Sequence, residues 1–150
     1  MANTEIGSIE QVFAAIESAI KARFPEFKCV EFHRQDRAAS PLPACLLELS
    51  EFTGANDIDP GTGQQAVNAR FEARIQISFR KKNPQIEIRD LATRFAAFVR
   101  LNRFGCRIGP AQLIGGWPDD YEPKQDNIEA WRIEWEQAVH LGEQDESVRD

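Results

Sequence analysis

The chain has 150 residues, 42% of them hydrophobic, and a formal net charge of -6 at pH 7. This length suffices for one ordinary core, and the acidic balance argues against a dedicated nucleic-acid binder, whose affinity would come from clustered Lys and Arg. There is no apolar run of about eighteen residues and no basic amino-terminal segment leading into an apolar run, so we expect neither a membrane span nor a signal peptide.

The first predicted element is an amphipathic helix. Apolar residues from Ile9 to Phe24 recur at intervals of three and four, which places them on one stripe of a helix. Ser8 suits the N-cap, because its hydroxyl can accept a hydrogen bond from the first turn, and Pro25 ends the helix. The segment from Cys29 to His33 then predicts a short strand.

An apolar run and a turn-rich segment follow. The run from Cys45 to Phe52 is bounded by turn signals and predicts a buried strand. Residues 53–65 are rich in Gly, Asn, Asp and Pro, which predicts a long exposed loop joining two adjacent strands as an extended hairpin. Long loops often carry function, so Asn56, Asp57 and Asp59 are candidate partner-binding residues.

The next segment alternates apolar and charged residues with unusual regularity. From Ala66 to Arg80, Arg70, Glu72 and Arg74 fall on one face, and Ala, Phe and Ile side chains fall on the other. Alternation with a period of two is typical of a strand that has one buried and one open face. The segment is about twice the usual strand length, which favours a role in assembly.

A second helix follows this strand. Asn83 and Pro84 form its start, because proline is tolerated in the first helical turn, and apolar residues keep helical spacing up to Val99. Gly105 is placed where a left-handed cap would end the helix.

The region after the second helix predicts a short strand and another loop. The strand covers residues 111–114, and the loop from Gly115 to Tyr121 contains glycines, Pro118 and two large aromatic residues. Trp117 and Tyr121 either fold back over the core or serve as anchors in a protein interface, where Trp and Tyr are enriched.

The last predicted strand repeats the alternating pattern. From Ala130 to Leu141, Trp131 and Trp135 share the apolar face, and Gln137 is its exception. The opposite face carries charge, at Arg132, Glu134 and Glu136.

Two helices separated by groups of strands indicate an α+β fold. We predict a mostly antiparallel sheet with two helices packed on one face, long strands and long loops, and a charged face left for water or for a neighbouring subunit. Residues 1–142 form this single domain, and residues 143–150 are predicted to be a disordered acidic tail.

The cysteine and histidine residues suggest an alternative hypothesis for the function. The three cysteines are an odd number without paired spacing, which favours free buried thiols and gives no reason to expect a metal or cofactor. Cys29 and His33 would share a strand face but lie about 13 Å apart, too far for a hydrogen bond, whereas contact with His140 is geometrically possible. A soluble cytoplasmic enzyme or ligand-binding domain, with a pocket between helices and sheet, is therefore the second hypothesis.

Three segments, together with the order of the elements, carry a resemblance to a known family. They are Leu46–Gly54 (LLELSEFTG), Ala69–Phe79 (ARFEARIQISF) and Ala130–Gly142 (AWRIEWEQAVHLG). The chain resembles, from about residue 5 to 142, the tail-terminator or tail-completion proteins of tailed bacteriophages.

The resemblance implies a structural virion protein, assembled in the host cytoplasm, with no enzyme activity and no cofactor. Such a protein forms a homo-oligomeric ring, commonly a hexamer, that caps the tail tube and joins the tail to neck and head-completion proteins. In this hypothesis the loops at Asn56 and Trp117 meet tube or neck partners. Six charged residues pair across subunits, namely Arg70, Glu72, Arg74, Arg132, Glu134 and Glu136.

Overall fold

The computed structural model describes residues 8–35, 40–54, 65–80, 82–119 and 128–141. Its elements follow one another in the order α1, β1, β2, β3, α2, β4, β5, which is an α+β arrangement as predicted. The expected acidic tail, residues 143–150, lies outside the described residues. The bounds of the elements are α1 Ile9–Arg23, β1 Cys29–Phe32, β2 Ala44–Gly54, β3 Gln65–Ser78, α2 Pro84–Val99, β4 Gln112–Pro118 and β5 Ile128–Leu141.

The five strands form one sheet in the order β1-β2-β3-β5-β4. Only β1 and β2 run parallel, and the other three neighbouring pairs are antiparallel. The strands β3 and β5 pair along their whole length, from Gln65 opposite Leu141 to Ser78 opposite Ile128. At about 3.3 Å per residue, each of these 14-residue strands spans roughly 46 Å.

Helix α1 begins at the predicted cap. The Ser8 hydroxyl accepts from the backbone N–H of Gln11, and the Gln11 side chain accepts from the backbone N–H of Ser8. This reciprocal pair satisfies two of the donors that a helix start leaves without partners. The last residue of the helix is Arg23, two residues before Pro25.

Both helices cover the same face of the sheet, as the alternation predicts. The odd-numbered residues of β3 from Ala69 to Ile77 are buried, and Phe71 stacks on Trp135 of β5 with ring centroids 5.5 Å apart. The two helices add their apolar stripes to the same cluster. Its members from the helices are Val12, Ile16 and Ile20 of α1 and Ile88, Leu91, Ala92, Phe95 and Val99 of α2.

The prediction of a loop from Gly115 to Tyr121 is wrong for residues 115–118, because strand β4 continues to Pro118. Trp117 therefore lies on a strand and not in a loop. The glycines and the proline were interpreted as turn signals, but β4 is at the edge of the sheet, where these residues are tolerated. Proline needs only a position at which its missing N–H would have pointed away from the neighbouring strand.

The ends of two other elements differ from prediction. Helix α2 stops at Val99, and Leu101, with φ of 62°, takes the left-handed position that was assigned to Gly105. The Leu101 N–H donates to the carbonyl of Ala111, which fixes this turn. Strand β1 stops at Phe32, because His33 has φ of 47° and leaves the extended conformation.

Strand β2 is buried only in its first half. Its register with β3 shifts between Leu49 and Glu51, and every residue from Glu51 to Gly54 is exposed. The prediction of a buried strand is therefore wrong beyond Leu49, since β2 extends past the part of the sheet that the helices cover.

Candidate interaction surface

The face of the sheet opposite the helices carries the six charged residues that the sequence singles out, and we call it the charged face. Three of them lie on β3 and three on β5: Arg70, Glu72, Arg74, Arg132, Glu134 and Glu136. Because β3 and β5 are neighbours, the fold brings all six together.

The register places like charges opposite each other in two of the three rows that these six residues form on β3 and β5, and places Arg70 opposite Glu136 in the third. Glu72 faces Glu134, and Arg74 faces Arg132, while Glu48 of β2 faces Glu72 from the other side. Like charges directly opposite one another on a sheet are destabilising. The pairing that stabilises this face must therefore run diagonally, from one row to the next.

The ion pairs between β3 and β5, which are Arg70 with Glu134 and Arg132 with Glu72, follow these diagonals. Arg70 Nε lies 3.1 Å from Glu134 Oε1, and Arg132 Nε lies 3.6 Å from Glu72 Oε1 and 3.5 Å from Glu134 Oε2. Arg74 donates to the carboxylate of Asp119, which follows β4. Each of the three arginines thus has a carboxylate partner within its own chain.

Partial burial shapes the electrostatics of Glu72. Its side chain is 17% exposed. Burial raises the pKa of Glu72, and the neighbouring carboxylates of Glu48 and Glu134 add to that rise, whereas the guanidinium of Arg132 opposes it. Glu136, in contrast, is exposed and makes no ion pair with any described residue.

Trp117 borders the charged face from β4. The guanidinium of Arg132 lies over its ring, 5.7 Å from the centroid. A cation over an aromatic face is an attractive arrangement, so Trp117 is held in place by the same arginine that pairs with Glu72. The indole nevertheless remains 41% exposed.

Exposed apolar side chains accumulate along β4, and we call this group the β4 edge. It consists of Leu101, Leu113, Ile114 and Trp117, which are between 37% and 52% exposed. Of these four residues, only Trp117 is predicted from the sequence to be a contact residue. The absence of any charged residue from Gln112 to Pro118 was the signal that could have revealed the others.

A buried glutamine fixes the segment that leads into β4. Gln137 is 1% exposed, and its Nε2 donates to the carbonyls of Asn102, at 2.8 Å, and Gly109, at 2.7 Å. Its Oε1 accepts from the indole N–H of Trp135. Gln137, the exception in the apolar pattern of β5, is therefore fully hydrogen-bonded, and its bonds position the segment that leads into β4.

The remaining predicted contact residues lie outside the described residues. These are Asn56, Asp57 and Asp59 of the segment between β2 and β3, and Tyr121 of the segment between β4 and β5.

The structure does not bring together the residues of the alternative hypothesis. Cys29 and His140 lie on β1 and β5, three strand positions apart across the sheet, and the register places Cys29 level with Ala130, ten residues along β5 from His140. At about 3.3 Å per residue and about 4.8 Å between strands, they are roughly 36 Å apart. His33 Nε2 accepts from the backbone N–H of Leu49, and Cys29 Sγ accepts from Arg34. All three cysteines are free and buried, and burial raises the pKa of each thiol.

Two surface cavities are small. One, of about 220 Å³, lies between α2 and the sheet and is lined by residues including Ile77, Asp90 and Arg94. The other, of about 210 Å³, lies on the charged face beside Arg34 and Arg74. Both fall below the ~300–1,000 Å³ of ordinary ligand sites. Neither is lined by a cysteine or histidine in the part of the chain that the structure describes.

Two further features bear on function. No three His, Cys, Asp or Glu side chains within the described ranges are grouped so as to hold a metal ion. Of the described helices, none is both long and apolar enough to cross a bilayer.

Comparisons with known proteins add no assignment. A scan against models of protein families gives no match, and a search of curated proteins likewise gives none.

Proposed function

We propose that this chain is a structural subunit that assembles into a ring, in the manner of the phage tail-terminator proteins that its sequence resembles. The ring would cap a tail tube, with tube and neck proteins as its partners, and would need no cofactor. The observation that carries this proposal is the β4 edge, where an uncharged strand with exposed apolar side chains lacks a second strand partner among the described residues.

An edge of this kind favours association. Soluble proteins protect their sheet edges with charged residues, prolines or covering segments, because an open apolar edge is a template for another chain. Within Gln112–Pro118, the protecting features are Pro118, at the last position of β4, and the register shift between Leu113 and Gly115. Exposed apolar residues grouped along one element are also typical of protein interfaces.

The charged face supports a different role from the one that the sequence suggests. Arg70, Arg74 and Arg132 already have carboxylate partners in the same chain, so this face does not need a neighbouring subunit to balance its charge. We therefore assign contacts between subunits to the edges of the sheet, and contacts with tube or neck proteins to the exposed groups that remain, Glu136 among them.

Solution mass tests the proposal. Light scattering over a range of protein concentrations, combined with electron microscopy, is expected to show a discrete multiple of the 17.0 kDa chain and annular particles. The mass should rise with concentration and then remain constant, because a closed ring has a fixed number of subunits. A compact monomer up to the solubility limit would contradict the proposal, and so would an open filament of indefinite length.

A further inference from the structure

We propose that neighbouring copies join edge to edge, with β4 of one copy adding as an antiparallel strand to β1 of the next, so that one sheet continues through the assembly. This inference rests on the proposed function, and it names the second copy of the chain as the occupant of the β4 edge.

The strand directions permit this pairing. The two outer strands of the sheet are β1 and β4. Because β1 is parallel to β2, and each of the three steps from β2 through β3 and β5 to β4 reverses direction, β4 runs antiparallel to β1. A copy rotated about an axis along the strands therefore presents β1 antiparallel to β4, and antiparallel pairing is slightly the more stable kind.

The backbone of β4 has groups free to pair outward. The N–H of Asp119 donates to Ala130 of β5, so by alternation the residues at 116 and 118 direct their backbone groups away from β5. Gly116 thus offers both an N–H and a carbonyl to a new strand. Pro118 offers a carbonyl, and its missing N–H marks where the outward ladder would stop.

The two edges match in length. The register of β4 with β5 shifts between Leu113 and Gly115, which leaves four regular residues, Gly115–Pro118. Strand β1 also has four residues, Cys29–Phe32, and no described strand pairs with its outer side.

The pairing also keeps the layers of the molecule in order. Both helices cover one face of the sheet, so a head-to-tail continuation leaves every copy with its helices on the same side. Pairing of β4 with β4 of a second copy would give a two-fold dimer and leave both β1 edges open. Head-to-tail contacts generate rings, as the proposed function requires.

A charge placed on the β4 edge tests the inference. Ile114→Lys is expected to reduce the assembly to monomers by light scattering, because lysine on an edge strand opposes strand addition. The matched control is Ile86→Lys, which adds the same charge at a 68% exposed isoleucine of α2 and should leave the mass unchanged. Circular dichroism and thermal melting should show both variants folded. Should Ile114→Lys fail to fold, the cross-linking described next decides alone.

Cross-linking identifies the partner strand. The substitutions Glu31→Cys and Trp117→Cys place thiols on the same face of the sheet and at the same level along the two edge strands, because Glu31 and Trp117 are linked by register through Leu46, Arg74 and Arg132. A short bismaleimide should join the double variant into a ladder of multimers. Each single variant should remain uncross-linked. Covalent dimers from Trp117→Cys alone would overturn the inference in favour of two-fold pairing through β4.

The two proposals fail differently. If the unsubstituted chain forms rings that Ile114→Lys also forms, the edge pairing is wrong and the ring function stands. If the unsubstituted chain stays monomeric, both are wrong.

Discussion

Gln137 interrupts the apolar face of β5 because it bonds to groups that would otherwise be buried without partners. Its amide serves the indole N–H of Trp135 and the carbonyls of Asn102 and Gly109. A buried polar group reduces the stability of the fold little while it is hydrogen-bonded and strongly when it has no partner. Gln137 therefore stabilises the fold although it interrupts the apolar face of β5.

Replacing Gln137 by leucine should destabilise the protein strongly. The substitution leaves the indole N–H of Trp135 and the carbonyl of Gly109 without partners, while the carbonyl of Asn102 still accepts from the backbone N–H of Ala111. Each buried unsatisfied group costs about 1–3 kcal/mol, so we expect a loss of roughly 2 kcal/mol or more. Urea unfolding measures it. The control is Gln85→Leu, at an exposed glutamine that bonds to Glu129 and Arg89, which should change stability by less than about 0.5 kcal/mol. Equal losses of stability from the two substitutions would contradict this structural role of the Gln137 hydrogen bonds.

The raised pKa of Glu72 leads us to expect that the stability of the fold depends on pH. Its pKa in the folded chain is raised above its ordinary value of 4.5, mainly by burial. A raised pKa means that the stabilising contribution is complete below the unfolded value and is lost as the pH rises through the folded value. The unsubstituted chain should therefore lose stability relative to Glu72→Gln as the pH rises above 4.5.

At pH 7 the Glu72→Gln variant should be the more stable of the two, because burial and the neighbouring carboxylates of Glu48 and Glu134 disfavour the charged form of Glu72. At acid pH, where Glu72 is protonated, the two should agree. Denaturant unfolding across the pH range checks this, with the exposed Glu136→Gln as control on the same face. A difference that instead grows with pH in favour of the unsubstituted chain would mean that the pair with Arg132 outweighs burial.

At the scale of the element, the start of α1 illustrates a local sequence signal that specifies its structure. Ser8 and Gln11 form the reciprocal cap within four residues, independently of the sheet. Ser8→Ala should cost about 1 kcal/mol, the usual value for loss of an N-cap side chain. Ser18→Ala, at an exposed serine inside the same helix, should stabilise by a few tenths of a kcal/mol, because alanine is the better helix former. Thermal unfolding distinguishes the opposite signs.

Elements with a sustained period could be predicted from the sequence. The strands β3 and β5 alternate over their length because each lies in the middle of the sheet, with one face on the core and one open. Both helices were likewise predicted from their apolar stripes. What the periodicity could not show is the register, and therefore that Glu72 faces Glu134 and pairs diagonally with Arg132.

The second half of the edge strand β4 was predicted as a loop. The residues Gly115, Gly116 and Pro118 are typical of turns, and only their place beside β5 makes an extended conformation acceptable. Leu101 adopts a positive φ that favours glycine, because its N–H is held by Ala111. In both places tertiary contacts override local preference, so the full extent of β4 and its place at the edge of the sheet could not be predicted before the sheet order was known.

At the scale of the molecule, the two surfaces should respond differently to salt. The charged face is balanced within one chain, whereas the proposed contact between subunits uses backbone hydrogen bonds and apolar side chains. Raising NaCl to about 1 M shortens the screening length to about 3 Å. The assembly should nevertheless keep its mass by light scattering. Dissociation of the ring at high salt would show that ion pairs between subunits hold it together, as the sequence alone suggests.

The position of β5 has a consequence for biogenesis. This strand comes last along the chain but lies inside the sheet, between β3 and β4. On a translating ribosome β4 therefore emerges before the only described strand that can hold it. The β4 surface proposed for joining copies is therefore complete only once β5 has entered the sheet, and we expect a chain whose β5 has not yet paired with β4 not to join the assembly through β4.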